Sequence, residues 1–134
     1  MQLPHLRPFS DRPLYFLTVS IKDRRAVLAN PTATAILKDI WTKSAELDGW
    51  WVGQFIVMPD HVHLFARPSL DGKPLAAWMK TWKSISSRRI SEALAIPSPI
   101  WQRDYFDHFV RSAKSYSEKW TYVAENPVRK GLVA

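Results

Sequence analysis

An α+β fold of the ferredoxin-like, split βαβ kind is what this 134-residue sequence predicts, with an antiparallel sheet, helices on one face and a C-terminal helix appended. Three observations predict it. Segments rich in β-branched and aromatic residues alternate with two longer stretches of helical periodicity, in the order strand, helix, strand, strand, helix, strand. The two middle strands are joined only by Pro59-Asp60, a connection so short that they must pair antiparallel. In such a plan both strand-helix-strand crossovers put their helices on the same side, which leaves the other face of the sheet to the appended helix.

The elements follow in order. Leu14-Tyr-Phe-Leu-Thr-Val-Ser-Ile21 reads as the first strand, with the basic loop Lys22-Asp-Arg-Arg25 after it. Pro31 opens a helix over Thr32 to Leu47 with Ile36, Leu37, Ile40 and Ala45 as its apolar stripe, and Gly49 ends it. Trp50 to Met58 is the second strand, and the third begins at His61. A second helix, roughly Pro74 to Leu94, presents Leu75, Trp78, Met79, Trp82 and Ile85 on one face. Lys80, Lys83, Ser84, Ser87 and Arg88 point away from that face, and short hydroxyls among basic tips suit a phosphate backbone as well as they suit plain solvent. Pro97 and Pro99 mark a loop, and Tyr105 to Val110 is the last strand. Ser115 with Glu118 reads as a capping box for a final helix from about Tyr116 to about Glu125, which Pro127 brings to an end.

Two constellations carry chemistry. His61 and His63 alternate with Val62 and Leu64 on a strand, so both imidazoles share a face, roughly 6–7 Å apart along the chain. That spacing suits a metal ion, for which imidazole is the commonest protein ligand. Tyr122 and Asn126 stand i, i+4 and so stack on one helix face, which brings a hydroxyl and an amide oxygen together. Each also has a plain reading: polar residues on a sheet face for the histidines, a packed aromatic and a helix cap for Tyr122 and Asn126.

Composition sets limits. The length suits one domain, residues 1–134, with one core. There is no cysteine, which excludes disulfides, thiol catalysis and thiolate zinc sites and suits the cytoplasm. No apolar run approaches the ~20 residues of a membrane span. Nineteen Lys and Arg against twelve Asp and Glu give a net charge of +7, the footprint expected of a protein that meets phosphate backbones. Seven tryptophans add aromatic faces on which bases can stack, although most such rings belong in a core.

Three stretches then carry a resemblance. Val57-Met-Pro-Asp-His-Val-His-Leu-Phe65, Trp101-Gln-Arg-Asp-Tyr-Phe-Asp-His-Phe-Val-Arg111 and Tyr122-Val-Ala-Glu-Asn-Pro-Val-Arg-Lys-Gly-Leu-Val133 occur in the order and with the spacing of the REP-associated tyrosine transposases. That group is a branch of the HUH single-strand endonucleases, and the resemblance covers most of the chain. It implies that His61, His63 and Asn126 hold a divalent cation, with manganese or magnesium suited to that donor set and zinc also able to occupy it. It implies that Tyr122 attacks DNA, keeping the 5′-phosphate and freeing a 3′-hydroxyl. The implied substrate is a repetitive extragenic palindrome, a hairpin with flanking single-stranded nucleotides, met by a monomer or homodimer in the bacterial nucleoid. Lys80, Lys83, Arg88, Arg111, Arg129 and Lys130 are the expected backbone contacts. Tyr116 faces elsewhere on its helix, Tyr105 and Tyr15 are expected to pack, and His108 stands as an alternative contact to DNA or to the ligands. Two other functions compete: a catalytically silent DNA-binding descendant, and a small metallonuclease that cleaves with water and forms no covalent intermediate.

Overall fold

The computed structural model describes residues 13–110, 114–119 and 121. Four strands form one sheet: β1 (Leu14–Ser20), β2 (Trp50–Met58), β3 (His61–Pro68) and β4 (Phe106–Val110). Their spatial order is β2-β3-β1-β4, and every pairing is antiparallel. β3 therefore lies between β1 and β2, which is the split βαβ plan predicted from the order of elements.

The two helices begin and end where local chemistry dictates. In α1 (Pro31–Asp48) the Asn30 side chain accepts a hydrogen bond from the Thr32 amide at 2.8 Å, and Pro31 occupies the first turn, where its missing N–H costs nothing. Gly49 closes α1 with φ at 73°, and a Cβ there would meet the Gly72 Cα at 2.6 Å, so both backbone angle and space require glycine. The second helix, α2 (Leu75–Leu94), starts one residue after Pro74 and ends on Ala95 in the left-handed region.

Alternation along the strands splits the interior in two. Leu17 and Val19 of β1 and Val62, Leu64 and Ala66 of β3 pack against Leu37, Ile40 and Trp41 of α1 and Trp78, Met79 and Trp82 of α2. Five tryptophans are buried in this layer, and three of their indole N–H groups reach oxygen: Trp50 the Lys73 carbonyl, Trp78 the Ser44 hydroxyl and Trp101 the Ser86 hydroxyl. On the opposite face Leu14, Phe16, Phe65 and Val110 form a smaller cluster, covered by Tyr116 from a helical stretch over residues 114–119.

Two expectations need correction. Ser115 lies inside that helical stretch, so it does not cap it, and the Ser115–Glu118 pattern is no capping box. Ser87 does not face solvent: the loop after α2 folds over it, and its hydroxyl accepts from the Ile100 amide at 2.9 Å and pairs with Ser98 at 3.1 Å.

Candidate active site

β3 opens with the two histidines on the face turned away from α1 and α2. Pairing fixes their neighbours, since His61 stands opposite Ser20 and His63 opposite Thr18 on β1. Their rings lie 4.8 Å apart, centroid to centroid, and nearly perpendicular at 85°. Both are buried, with 5% and 6% of their surface exposed. Alternation assigned the face correctly, but the sequence could not show how completely that face is covered.

Each ring is held at Nδ1. His61 donates from Nδ1 to Asp60 Oδ1 at 2.7 Å, and Asp60 Oδ2 accepts from Arg24 Nε at 3.0 Å. His63 Nδ1 shares a 3.0 Å hydrogen bond with the Thr18 hydroxyl, while its ring stacks on Phe16 at 5.6 Å and 10°. Burial alone would raise the pKa of Asp60, but hydrogen bonds from His61 and Arg24 and the nearby positive charge outweigh it and hold the carboxyl below its ordinary value. An imidazole with Nδ1 fixed by a carboxylate or a hydroxyl is oriented to coordinate through Nε2, the arrangement that supports metal-bound histidines. The residues present therefore fit a cation. Among the described residues no third His, Cys, Asp or Glu joins them, so two histidines are the contribution of this set.

Beside His63 the sheet and the 114–119 helix enclose a groove of about 690 Å³, lined by Phe16, Thr18, His63, Phe106, His108, Ser115, Glu118 and Lys119. Lys119 places its ammonium 5.4 Å from the Phe16 ring centroid, and the exposed Phe106 ring lies parallel to His108. Tyr116 is turned the other way, onto Phe65 at 4.7 Å, where burial pushes its phenol above the ordinary value. It makes a poor nucleophile. Tyr105 packs against the main core and Tyr15 does likewise, as expected.

The basic residues of α2 lie elsewhere. Lys80 and Arg88 are exposed on the helix layer, across the sheet from the histidines. Lys83 is engaged: its Nζ donates to the Gln102 carbonyl at 2.8 Å and the Arg103 carbonyl at 3.0 Å, and burial lowers its pKa despite the opposing charge of Asp104. Tyr122, Asn126, Arg111, Arg129 and Lys130 lie outside the described residues. Sequence reasoning missed Asp60, Thr18 and Arg24. An acid immediately before the first histidine was the available signal, read only as part of a turn.

The fold is shared with transposases, a class of proteins that act on DNA. The family described as "Transposase IS200 like" matches residues 12–126, and the chain belongs to that family. The REP-associated tyrosine transposase of Escherichia coli (strain K12) is 27% identical over 124 residues, covering 89% of this chain and 68% of that protein. The structure of a REP-associated tyrosine transposase bound to a REP hairpin superimposes with a TM-score of 0.74 at 22% identity, over 95% of this chain and 73% of the other, a likeness of fold. The crystal structure of a candidate transposase from Deinococcus radiodurans gives 0.64 at 26% identity, over 89% and 94% of the two chains. No helix among the described residues is long and apolar enough to cross a membrane.

Proposed function

We propose that this protein is a divalent-metal-dependent single-strand endonuclease and strand transferase that acts on hairpin DNA of the REP type through a 5′-phosphotyrosine intermediate. The observation that carries the proposal is the buried pair His61 and His63, each held at Nδ1, beside a groove with a helix as its other wall. Glu118 and Lys119 of the 114–119 helix line that groove, and Tyr122 follows Lys119 in the chain by three residues.

In this reading His61, His63 and Asn126 hold magnesium or manganese. The cation, when bound, draws charge from the phosphate oxygens of the strand. Asp60 and Thr18 keep the two imidazoles in the orientation that binding requires. The Tyr122 oxygen attacks phosphorus as the phenolic proton passes to water. The bond to the 3′-oxygen breaks, and that oxygen takes a proton from water and leaves as a hydroxyl, so no net proton is gained or lost. Reversal by the same or another 3′-hydroxyl rejoins the strand, so no external energy source is needed. Family membership and the hairpin-bound relative support the substrate class.

The test uses a hairpin labelled at its 3′ end, manganese, and denaturing electrophoresis of wild type, Tyr122→Phe and Tyr116→Phe. Wild type and Tyr116→Phe are expected to form a covalent adduct; Tyr122→Phe is expected to bind the hairpin and form none. Cleavage that persists in Tyr122→Phe with no adduct in any protein would establish hydrolysis by water instead. An adduct that survives in Tyr122→Phe and vanishes in Tyr116→Phe would overturn the assignment of the nucleophile.

A further inference from the structure

We propose that His108 is the general acid of strand cleavage: the proton that the leaving 3′-oxygen takes from water reaches it through this imidazole. The inference rests on the phosphotyrosine chemistry proposed above and names the route of one of its protons. A 3′-alkoxide is a strong base and leaves poorly, so a positioned proton donor raises the rate by about 10²–10⁴-fold. The groove beside the metal-binding pair contains His108 together with Glu118 and Lys119 of the 114–119 helix. His63, which also lines it, is committed to the cation. Carboxyl groups and amines ordinarily keep one form across neutral pH, whereas an imidazole both holds and yields a proton there, and transfer is most efficient from a group near the working pH. Chemistry therefore singles out the histidine.

Sheet register fixes where His108 stands. It lies opposite Phe16 on β1, and Thr18, two residues along β1, lies opposite both His63 on β3 and Phe106 on β4. Two strand spacings of about 4.8 Å and two residues at about 3.4 Å each put the backbones of His63 and His108 roughly 12 Å apart on one face. That separation leaves room between the two imidazoles for the phosphate being cleaved. Phe106 lies nearly parallel to the His108 ring, at 6.5 Å and 8°, and so limits its rotation. Among the described residues, the charged groups of the groove are Glu118 and Lys119; β1 offers it the uncharged Phe16 and Thr18, and alternation turns Asp107 to the other face of β4. His108 is partly exposed, so solvent can recharge it. In cleavage the electron pair of the P–O bond stays on the 3′-oxygen, which takes the imidazolium proton and departs as a hydroxyl. The neutral ring then recovers a proton from water, matching the one that Tyr122 released. In rejoining, the neutral ring accepts the proton of the attacking 3′-hydroxyl, as microscopic reversibility requires.

A leaving group that needs no proton isolates this role. Single-turnover cleavage with manganese is compared on two hairpins, one with the natural 3′-oxygen at the cleaved bond and one with sulfur in its place, because a thiolate departs unprotonated. The proteins are wild type, His108→Ala and His108→Gln, the last keeping a polar side chain of similar size should alanine disturb β4. Thermal melting, manganese binding and hairpin affinity are measured alongside. Both variants are expected to cleave the oxygen substrate at least about 100-fold more slowly than wild type and the sulfur substrate at nearly the wild-type rate, with both affinities unchanged. The proposal is overturned if the variants cleave the oxygen substrate like wild type, if both substrates slow equally, or if the lost rate follows lost manganese or hairpin affinity. A Lys119→Gln variant that shows the sulfur rescue while the His108 variants do not would move the donor to Lys119 and also overturn it. Wild type that forms no covalent adduct with either hairpin would remove the phosphotyrosine reading itself, and this role with it; an adduct in wild type with equal slowing in the variants removes His108 alone.

Discussion

Asp60 uses both carboxylate oxygens, one on His61 and one on Arg24, and so fixes an imidazole while sitting in a two-residue turn. Removing its charge isolates the effect on the ring. Asp60→Asn should weaken manganese binding by about 10–100-fold, the usual effect of losing such a supporting group, and isothermal titration measures it. The exposed Arg24 contact contributes at most about 1 kcal/mol to stability. Because the folded carboxyl has a pKa below that of the unfolded chain, its stabilisation is complete above about pH 4 and is lost as pH falls through the folded value. Acid melts of wild type and Asp60→Asn should therefore differ at neutral pH and converge below pH 4 on this account; a constant gap down to the lowest pH would exclude the charged pair as its source. The sequence made the histidine pair legible through alternation alone. Its burial was not legible, because the residues that cover it, Phe16 and the 114–119 helix among them, come from distant parts of the chain.

At the scale of elements, the boundaries readable from sequence were those set by a single residue's backbone chemistry. Pro31 and Gly49 bracket α1 because one fits only a first turn and the other adopts a positive φ at no steric cost. The Ser115–Glu118 pattern misled because capping depends on where the helix starts, which the pattern alone does not determine. Lys83 shows a related limit: helical periodicity placed it beside Lys80 and Arg88 on an outward face, but its partners are carbonyls 19 and 20 residues further on. The two lysines should differ accordingly. Lys83→Ala leaves two carbonyls without their donor and should destabilise the protein by about 1–3 kcal/mol. Lys80→Ala, at an exposed site, should change stability by less than about 0.5 kcal/mol. Urea denaturation of the two variants reads the difference directly, and equal effects would show that the clamp on the 102–103 carbonyls contributes nothing.

Across the whole molecule, the sheet separates two chemistries. One face carries the histidines and the groove; the other carries the helices and the cations of α2. Among the described residues Lys80 and Arg88 stand exposed on the helix face and Lys119 beside the histidine groove, so a nucleic acid held by both faces would meet cations in separate places. Salt dependence can resolve those places, since each phosphate neutralised on a single strand adds about −0.7 to the slope of log affinity against log salt. Wild-type affinity for a hairpin with a single-stranded extension should fall steeply as salt rises. Lys80→Ala and Arg88→Ala should each make that slope shallower by about 0.7 if α2 contacts the backbone. Lys83→Ala should weaken stability and leave the slope unchanged, because its ammonium already serves the 102–103 carbonyls. Fluorescence anisotropy across a salt series measures all four proteins. Slopes identical in wild type, Lys80→Ala and Arg88→Ala would confine DNA to the histidine face, and would remove the outer surface of α2 from the binding footprint.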